Sequence, residues 1–492
     1  MVPQSGESVV LRSNNKGQVE VIDRLLDLWR SPLNMNTMTS EKFTSEIGNH
    51  AVVIGGSIVG LLSARVLINS FKKVTIIETD KLPDQPDARK GVPQSTQPHV
   101  LFTRGYRILE ELFPGIGAEL TASGALTIDW AREFHYFARG EWSGKANPSD
   151  IVSFTCSRPL LEWAIRRRLA DFTKVQFIER HRVTGLLCDP ERKRITGVTL
   201  RSIGEAKNEL QASLVVDASG RRSQAPHWLE SIGFTPPPET VVNPFLGYAT
   251  RRYREPKNFE GDWKVMLISQ SPPDVTRLGY LAKIEGGEWI ATLGGYGRDF
   301  PPTDEQGFLE FARSLLSPEF YEAIKDAEPV SPIYAHRATN NRLRHYEKVM
   351  LPQGFVALGD AVCALCPVYG QGMTVSALSA MVLRDWLKQS RRHKDLVSSR
   401  FQKSLAKSNS PHWAFATGQD SRFPTTHGAS KPRRQSRLLR WYTNKLFACA
   451  KTDSDLHTLL TETAHLLKPP LALLHPKVVL RVLSKSASTH TL

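Results

Sequence analysis

The stretch of sequence that decides the fold is Phe355-Val-Ala-Leu-Gly-Asp-Ala-Val-Cys-Ala-Leu-Cys-Pro-Val-Tyr-Gly-Gln-Gly-Met373. It combines a short apolar run, a Gly-Asp pair and a Gly-Gln-Gly segment that leads into a helical pattern. A second glycine motif, His50-Ala-Val-Val-Ile-Gly-Gly-Ser-Ile-Val-Gly60, lies almost three hundred residues earlier. We interpret the earlier motif as opening a dinucleotide site and the later motif as closing it.

The earlier motif has the pattern of a strand, a glycine turn and a helix. Its apolar run, Ala51 to Ile54, predicts a buried strand, and a helical pattern follows the turn. Gly55, Ser57 and Gly60 occupy the three positions of G-x-G-x-x-G, with Gly56 beside the first. The first glycine permits the tight turn, and the third lets the helix pack closely on the strand. Serine departs from the pattern but is small, so a pyrophosphate could still approach the amides at the helix start.

An acidic residue follows this motif at the distance expected for a ribose ligand. The strand predicted from Lys73 ends on Glu78, which lies 23 positions after Gly55. Ribose-binding carboxylates lie about 20 residues beyond the glycine turn. The alternative is an ordinary strand–turn–helix with incidental glycines. The combination of two strands, a helix and an acid favours the dinucleotide site.

The later motif predicts contacts to a flavin. A strand from Val356 to Leu358 ends at a carboxylate, which can accept hydrogen bonds from ribityl hydroxyls. The apolar helix predicted from Met373 begins after two glycines, so its first amides can stabilise negative charge on the flavin ring. Together the two motifs indicate an FAD enzyme. The candidate contacts in this block are Gly359, Asp360, Pro367, Gly370, Gln371, Gly372 and Met373.

A third block, Leu214-Val-Val-Asp-Ala-Ser-Gly220, has a buried-strand pattern that ends in a turn. Asp217 and Gly220 are candidate cofactor contacts in that turn. A plain junction between a strand and a loop would give the same pattern.

The three blocks together resemble the class A flavoprotein monooxygenases, single-component FAD enzymes with a p-hydroxybenzoate hydroxylase-like fold. The resemblance covers roughly residues 49 to 483 and is nearest to the branch that contains the polyether epoxidases. Further support comes from segments at Arg89–Gln94, His99–Leu101, Arg104–Gly105, Ser157–Leu161 and Ala416–Arg422.

The resemblance implies roles for individual residues. Arg158 would contact the cofactor near the flavin or ribityl chain, and Asp360 would bind the ribityl or pyrophosphate region. Gln94 and Arg104 correspond less closely to the family pattern. For each arginine, a surface charge or a helix-terminus partner is an equally good interpretation.

The expected fold class is α/β, with a Rossmann-type FAD-binding domain, an inserted mainly β substrate domain and a C-terminal helical region. Short strand patterns after residue 240 indicate the inserted sheet. The expected parts are an N-terminal extension (1–48), the FAD-binding domain in two pieces (49–235 and 346–390), the substrate domain (236–345) and a basic helical region (391–492).

Composition limits the other classes of protein. A chain of 492 residues should hold two or three domains. Five cysteines without framework spacing fit a reducing compartment, so we expect a cytoplasmic protein. Cys363 and Cys366 form a C-x-x-C, which we interpret as small buried residues rather than a redox dithiol. We find no apolar run near the ~20 residues that span a bilayer and no signal-peptide pattern. Met35 and Met38 are alternative start positions.

The net charge of +15 is concentrated near the C-terminus. From Arg391 onward there are 18 Lys and Arg residues against 5 Asp and Glu. Nucleic-acid binding is not expected, because no nucleic-acid fold signature accompanies the charge. A solvated basic face is one interpretation. Peripheral contact with an anionic membrane is the other, since Leu, Trp and Phe alternate with the arginines.

The resemblance implies an NAD(P)H-consuming monooxygenase that inserts one oxygen atom from O2 into a lipophilic small molecule, through a flavin C4a-hydroperoxide. Epoxidation and hydroxylation both remain open, as does NADH against NADPH. No second dinucleotide domain is predicted, so the nicotinamide would bind transiently. No metal site and no catalytic side chain are assigned. The alternatives are a reductase or dehydrogenase of an isoprenoid-like substrate, and a flavin-binding protein without turnover. A halogenase is disfavoured because W-x-W-x-I-P is absent.

Overall fold

A computed structural model describes residues 46–144, 147–202, 206–393, 395–429 and 437–484. The expected N-terminal extension, residues 1–48, lies almost entirely outside the described residues. The basic run 431–440 falls partly outside them as well.

The described residues form twenty strands and twelve α-helices. The strands are β1 (Gly48–Ile54), β2 (Phe71–Ile77), β3 (Leu126–Asp129), β4 (Phe134–Ala138), β5 (Glu141–Trp142), β6 (Val152–Thr155), β7 (Val175–Ile178), β8 (His181–Cys188), β9 (Ile195–Ser202), β10 (Asn208–Gln211), β11 (Leu214–Asp217), β12 (Glu239–Val242), β13 (Gly247–Arg254), β14 (Val265–Ile268), β15 (Arg277–Ile284), β16 (Glu288–Gly295), β17 (Tyr334–His336), β18 (Asn341–Arg344), β19 (Phe355–Ala357) and β20 (Cys363–Ala364). The helices are α1 (Ile58–Leu67), α2 (Thr103–Leu112), α3 (Ile116–Ala122), α4 (Arg158–Ala170), α5 (Ala225–Ser231), α6 (Glu305–Arg313), α7 (Glu319–Ile324), α8 (Gly372–His393), α9 (Ser398–Asp420), α10 (Arg437–Ala450), α11 (Ser454–Ala464) and α12 (Pro476–Ser484).

The first sheet is parallel, in the order β19-β11-β1-β2-β7. Its central strands are runs of buried Val, Ile and Leu, as expected for a parallel sheet covered on both faces. Helices α1 and α8 pack on each other beside it. Because parallel strands end at the same edge, the turns after β1, β11 and β19 are neighbours. The three motifs that are distant in sequence therefore meet at one edge, and the α/β prediction is confirmed.

The second sheet has seven strands in the order β17-β13-β16-β15-β14-β4-β5. Strands β13 to β16 are the inserted sheet that the short strand patterns after residue 240 predicted. Helices α6 and α7 cover one face of it through Phe308, Phe311 and Phe320. The sequence predicted that the FAD-binding domain runs to residue 235 before the substrate domain begins, and the structure differs from this in one segment. Segment 134–142, which the sequence assigned to the FAD-binding domain, joins this sheet because β4 pairs with β14. Such a long-range pairing leaves no local pattern.

The C-terminal region is helical, as predicted, and its first part belongs to the main core. Phe401 and Leu405 of α9 lie in the same apolar cluster as β1 and β19. Further on, His465 completes the start of α2. Its Nδ1 accepts a hydrogen bond from the amide of Thr103 at 3.2 Å, and its carbonyl accepts one from the amide of Arg104. The helix start has no side-chain cap of its own, so the C-terminal segment supplies one.

None of the described helices combines the length and the apolar character that crossing a bilayer requires.

Candidate cofactor-binding site

The glycine turn after β1 requires glycine at two positions. Gly55 has φ +103°, and a Cβ there would lie 2.7 Å from the carbonyl oxygen of Ala218, in the turn after β11. A Cβ on Gly60 would overlap the carbonyl oxygen of Gly55. The strand, the turn and α1 therefore pack as closely as a dinucleotide fold requires.

Glu78 lies beside this turn, as its spacing predicted. It is buried, and its Oε2 accepts a hydrogen bond from the amide of Gly56 at 2.9 Å. Its Oε1 accepts hydrogen bonds from the amides of Thr79 and Asp80 at 2.7 and 3.2 Å. The carboxylate is thus fixed at the end of β2, next to the first turn of the dinucleotide motif.

Ser57 and Arg158 come together at the start of α1. Ser57 Oγ accepts a hydrogen bond from the Arg158 guanidinium at 2.7 Å and donates one to Glu162 Oε2 at 2.8 Å. Arg158 also pairs with Glu162, one turn further along α4, at 3.1 Å. Arg158 Nε is buried and makes no hydrogen bond within the described part of the chain. A buried, positively charged donor without a partner is what an anionic ligand would satisfy.

Arg89 joins these residues, and the sequence did not assign it to the site. Its guanidinium contacts Glu78, Asp80 and Glu162 at 2.9–3.0 Å. Burial alone would lower the pKa of Arg89, but Glu162 and Glu78 outweigh it and raise the pKa. The sequence did contain a signal for Arg89: segment Arg89–Gln94 supported the family resemblance, but we assigned no role to its arginine. We call Glu78, Asp80, Arg89, Arg158 and Glu162 the arginine cluster.

Glu162 is the second residue that the sequence did not assign. Burial would raise the pKa of this carboxyl, but Arg158 and Arg89 lower it below its usual value. Glu162 therefore stays ionised and holds both arginines beside Ser57. Its position four residues after Arg158 puts both on one face of α4, which is the sequence signal that could have identified it.

Asp217 lies beneath the site. It is fully buried, and its two oxygens accept hydrogen bonds from Ser219 and Ser223. Burial raises its pKa. Asp217 therefore stabilises the turn after β11, which contains Gly220. Its carboxylate is not open to a ligand, in contrast to its predicted role as a direct contact.

Asp360 faces outward at the end of β19. Its side chain is 41 % exposed and lies 3.6 Å from Arg221 Nε. Arg221 is held by the carbonyl oxygens of Asn340 and Leu365. Asp360 is therefore accessible at the edge where the three motifs meet, as a ribityl or pyrophosphate contact would have to be.

The segment before α8 forms a tight turn. A 3-10 turn covers Pro367–Tyr369, Gly370 has φ +66°, and α8 begins at Gly372. A Cβ on Gly372 would meet no described atom within 4 Å, so there is open space beside the first amides of the helix. Gln371 and Met373 on either side are buried. The turn can therefore present backbone amides to a planar ring.

Arg104 and Gln94, which the resemblance suggested as cofactor contacts, lie outside the arginine cluster. Arg104 is on α2, and burial lowers its pKa, with Glu111, Arg107 and Arg384 as the nearest charged influences. None of these belongs to the arginine cluster. Gln94 lies in the short 3-10 turn Pro93–Thr96, where its carbonyl accepts a hydrogen bond from the amide of Gln97.

Cys363 and Cys366 are both free and buried. Burial raises the pKa of Cys363 to about 12 and that of Cys366 well above its usual value. Neither is therefore a thiolate at neutral pH, in agreement with the interpretation as small buried residues.

The residues present fit FAD. Glu78 fixes the first turn through the amide of Gly56, the partnerless Nε of Arg158 suits a pyrophosphate or ribityl oxygen, and the open start of α8 suits the flavin ring. All lie along one edge of the first sheet.

Comparison with known proteins agrees with this geometry. No family model matches the chain. It is 33 % identical over 432 residues to protein Rv3254 of Mycobacterium tuberculosis, which covers 84 % of this chain and 89 % of that protein. The chain belongs to the same family as Rv3254, and its fold is that of the class A flavoprotein monooxygenases. Its similarities to a squalene monooxygenase and to flavin-dependent enzymes of the same fold place it among the FAD-dependent oxidoreductases. It is also 25 % identical over 367 residues to squalene monooxygenase of Mus musculus, with 72 % of this chain and 56 % of that protein covered.

Solved structures support the fold. The flavin-dependent brominase Bmp2 superposes with a TM-score of 0.62 at 14 % identity, over 85 % of this chain and 93 % of the brominase. Other matching structures include a probable FAD-dependent monooxygenase from Pseudomonas aeruginosa and flavin-dependent halogenases. At such identities the likeness concerns the fold alone.

Proposed function

We propose that this protein is an NAD(P)H-consuming monooxygenase that transfers one oxygen atom from O2 to a lipophilic small molecule, by epoxidation or hydroxylation. The observation that carries the proposal is the buried, partnerless Nε of Arg158 on the same sheet edge as the open start of α8. One position suits the anionic part of FAD and the other suits its ring.

The described side chains would bind and orient the cofactor. Arg158 would donate from Nε to a pyrophosphate or ribityl oxygen while Glu162 keeps its other nitrogen on Ser57. Glu78, whose two oxygens are occupied by the amides of Gly56, Thr79 and Asp80, would hold the first turn of the motif in place beside the ribose. The first amides of α8 would stabilise negative charge on the ring. FAD, when bound, supplies the redox and oxygen chemistry.

The second sheet would supply the substrate side. Leu246, Tyr248, Leu278 and Tyr296 form an apolar cluster with Cys366, and Val368 and Tyr369 of the turn before α8 pack against it. This packed, almost fully buried cluster would exclude water from that side of the ring, as the oxidation of a lipophilic substrate requires. The similarity to a protein named squalene monooxygenase supports this class of substrate.

Spectroscopy of the purified protein tests the proposal. FAD should be present or reconstitutable, and NADPH or NADH should bleach its visible absorption without oxygen. With isotope-labelled O2, a long isoprenoid alkene and a phenol should be compared as substrates, and the label should appear in the product. A protein that cannot be loaded with FAD would overturn the proposal.

The same assay separates the alternatives. An isoprenoid reductase or dehydrogenase would show substrate-dependent flavin turnover without label in the product. A flavin-binding protein without turnover would show no substrate-stimulated oxidation of NAD(P)H. Halide-dependent product formation would instead indicate a halogenase, the activity named for several proteins of the same fold.

Peripheral contact with an anionic membrane is a second proposal, and it concerns the C-terminal helices. Trp441 and Phe447 of α10 and Leu480 and Leu483 of α12 are exposed. Lys445 lies 5.6 Å from the Trp441 ring. Exposed apolar side chains next to cations are typical of interfacial helices. Vesicles with anionic lipid should bind the protein at low salt, and neutral vesicles should bind it less.

A further inference from the structure

A buried carboxylate lies at the C-terminal end of α9, far from the arginine cluster in sequence. Asp420 is fully buried. Its Oδ1 accepts hydrogen bonds from the hydroxyls of Tyr369 and Tyr296, at 2.5 and 3.3 Å. Its Oδ2 accepts one from Asn341 Nδ2 at 2.6 Å. We call these four residues the Asp420 cluster.

The partners of Asp420 come from three parts of the fold. Tyr369 ends the 3-10 turn that immediately precedes Gly370 and α8. Tyr296 directly follows β16 of the second sheet and stacks on Phe423, with ring centroids 4.2 Å apart. Asn341 begins β18, and its Oδ1 accepts a hydrogen bond from the amide of Cys366 at 2.7 Å. The turn before α8 is therefore attached to the cluster at Cys366 and at Tyr369.

The carboxyl has an unusual electrostatic environment for a structural residue. Burial raises the pKa of Asp420 to about 6, and the hydrogen bonds from Tyr369, Asn341 and Tyr296 only partly offset this. The titratable groups facing it are Tyr296, Tyr369, Cys366 and Tyr248, and burial raises the pKa of each well above its usual value. All four are neutral near pH 6. Among the described residues, none of the groups with the largest effects on the pKa of Asp420 is a cation.

Burying a carboxylate without a cation is costly, and an apolar side chain would fill the same space without that cost. What an apolar residue cannot do is accept three hydrogen bonds at once. The carboxylate is an acceptor only, so it can orient two hydroxyls and an amide toward one point.

We propose that Asp420 is a positioning residue for the turn before α8: it holds Tyr369 against Tyr296 and Asn341, and so fixes the direction of the amides at Gly370–Gly372 toward the flavin ring. The part of this inference that concerns the flavin rests on the proposed function. The part that concerns how Asp420 holds the turn, its mechanical part, rests on the geometry of the Asp420 cluster alone. Protonation of Asp420 would convert one oxygen from acceptor to donor and release one of the three partners.

The first test is hydrogen exchange of the full-length protein, with and without FAD. Asp420→Asn keeps the shape but offers one acceptor oxygen where the carboxylate offers two. We expect the amides of peptide 366–373 to exchange roughly tenfold faster in D420N than in the wild type. The matched control is Asp304→Asn at the start of α6, where Asp304 accepts from the amide of Gly307 and Asn caps equally well. Equal exchange in D420N, D304N and the wild type would overturn the proposal.

The second test uses the flavin. In the FAD-loaded wild type, the visible spectrum and the rate of reduction by NAD(P)H should change with a midpoint near pH 6, and D420N should lack this step. At neutral pH, D420N should reduce its flavin roughly ten- to a hundredfold more slowly, since small misplacements in a site have effects of that size. A purely structural role would lower thermal stability without moving the pH profile, and that result would overturn the positioning role.

The third test uses Tyr369→Phe. This variant removes the hydroxyl that Tyr369 donates to Asp420 and leaves Asp420 in place. If the two residues act through one hydrogen bond, the double variant should be no worse than D420N. Additive effects would overturn the proposal. Failure to bind FAD at all would sink the proposed function while leaving the exchange experiment to decide the mechanical part.

Discussion

In the proposed FAD site the arginine cluster would lie on the dinucleotide side and the Asp420 cluster on the ring side, and both clusters bury carboxylates. In the first, Glu78 and Glu162 are paired with Arg89 and Arg158. In the second, Asp420 has hydroxyl and amide donors as its hydrogen-bond partners. The consequence is opposite pKa shifts: lowered for Glu162 and raised for Asp420. Paired charges suit a permanent anchor, whereas a neutral-donor site can titrate near physiological pH.

Glu162→Ala should have the largest effect, because it leaves two buried guanidinium groups short of a counter-charge. Arg89 and Glu162 are each only 7 % exposed. Removing one partner of such a pair costs about 3–5 kcal/mol of stability. The urea midpoint of the FAD-free protein should fall accordingly. Glu191→Gln, at an exposed pair with Lys193, should change it very little; a matching fall in that control would remove the distinction.

The pH dependence of the second cluster should be the next largest effect. The pKa of Asp420 is about 6 in the folded protein against a usual 3.8. The folded state therefore binds more protons between these values, so this group's contribution to stability falls as the pH rises through the window. D420N cannot titrate. Its stability relative to the wild type should therefore improve between pH 4 and 6.5, by at most about 3 kcal/mol. A difference that stays flat with pH would show that Asp420 titrates normally.

Arg158→Ala should sharpen the anchor side by testing cofactor binding directly, with Arg89 still paired to Glu162. Loss of a charged donor to the cofactor costs about 1.5–3 kcal/mol of binding free energy, or roughly a ten- to hundredfold rise in Kd for FAD. Flavin fluorescence titration measures it. Arg167→Ala on the same helix is the control, because Arg167 pairs with Glu119 at a half-exposed position. FAD affinity that is equal in the two variants would contradict the role of Arg158.

The sequence predicted the strands and helix of the anchor side well because their signals are local. Turn chemistry and apolar periodicity placed β1, α1 and β2 within a few residues. The spacing predicted Glu78 as a ribose ligand, and the structure places its carboxylate beside the turn, on the amide of Gly56. The same signals failed for Arg89 and Glu162. Their roles depend on α4 packing against the first turn, and no spacing rule joins residues 73 positions apart.

The ring side was harder to predict for the same physical reason. The turn before α8 was read from its glycines, but Asp420 was only part of a segment that supported the resemblance. Its partners Tyr296, Asn341 and Tyr369 come from separate segments, and no periodicity connects them. Asp217 shows the opposite difficulty, a residue that the sequence assigned to the site and the fold withdraws from it. A carboxylate at a strand end has the pattern of a ligand contact even where the fold buries it under its own turn.

A smaller effect is expected where the C-terminal region supports the site from outside. His465→Phe keeps an aromatic ring but removes the Nδ1 acceptor for Thr103. An unsatisfied buried amide costs about 1–3 kcal/mol. Burial lowers the pKa of His465 to about 3, so its stabilising effect is complete above its usual pKa of 6.5 and declines as the pH falls toward 3. The melting temperature should therefore differ between wild type and H465F most at neutral pH, while His227→Phe at an exposed position should leave it unchanged.

The smallest expected effect concerns the membrane proposal, because it involves single side chains at the edge of the fold. Leu480 is 67 % exposed on α12, so its replacement should not disturb the core. Leu480→Asp removes apolar area and adds a negative charge next to the lipid surface, so the fraction bound to anionic vesicles at low salt should fall severalfold. Leu316→Asp, at an exposed leucine just after α6, should leave binding unchanged. FAD content should be the same in both variants, because neither position touches the arginine cluster or the Asp420 cluster. Equal vesicle binding by the wild type and L480D would leave the exposed basic helices as an ordinary solvated surface, and lipophilic substrates would then have to reach the site from solution.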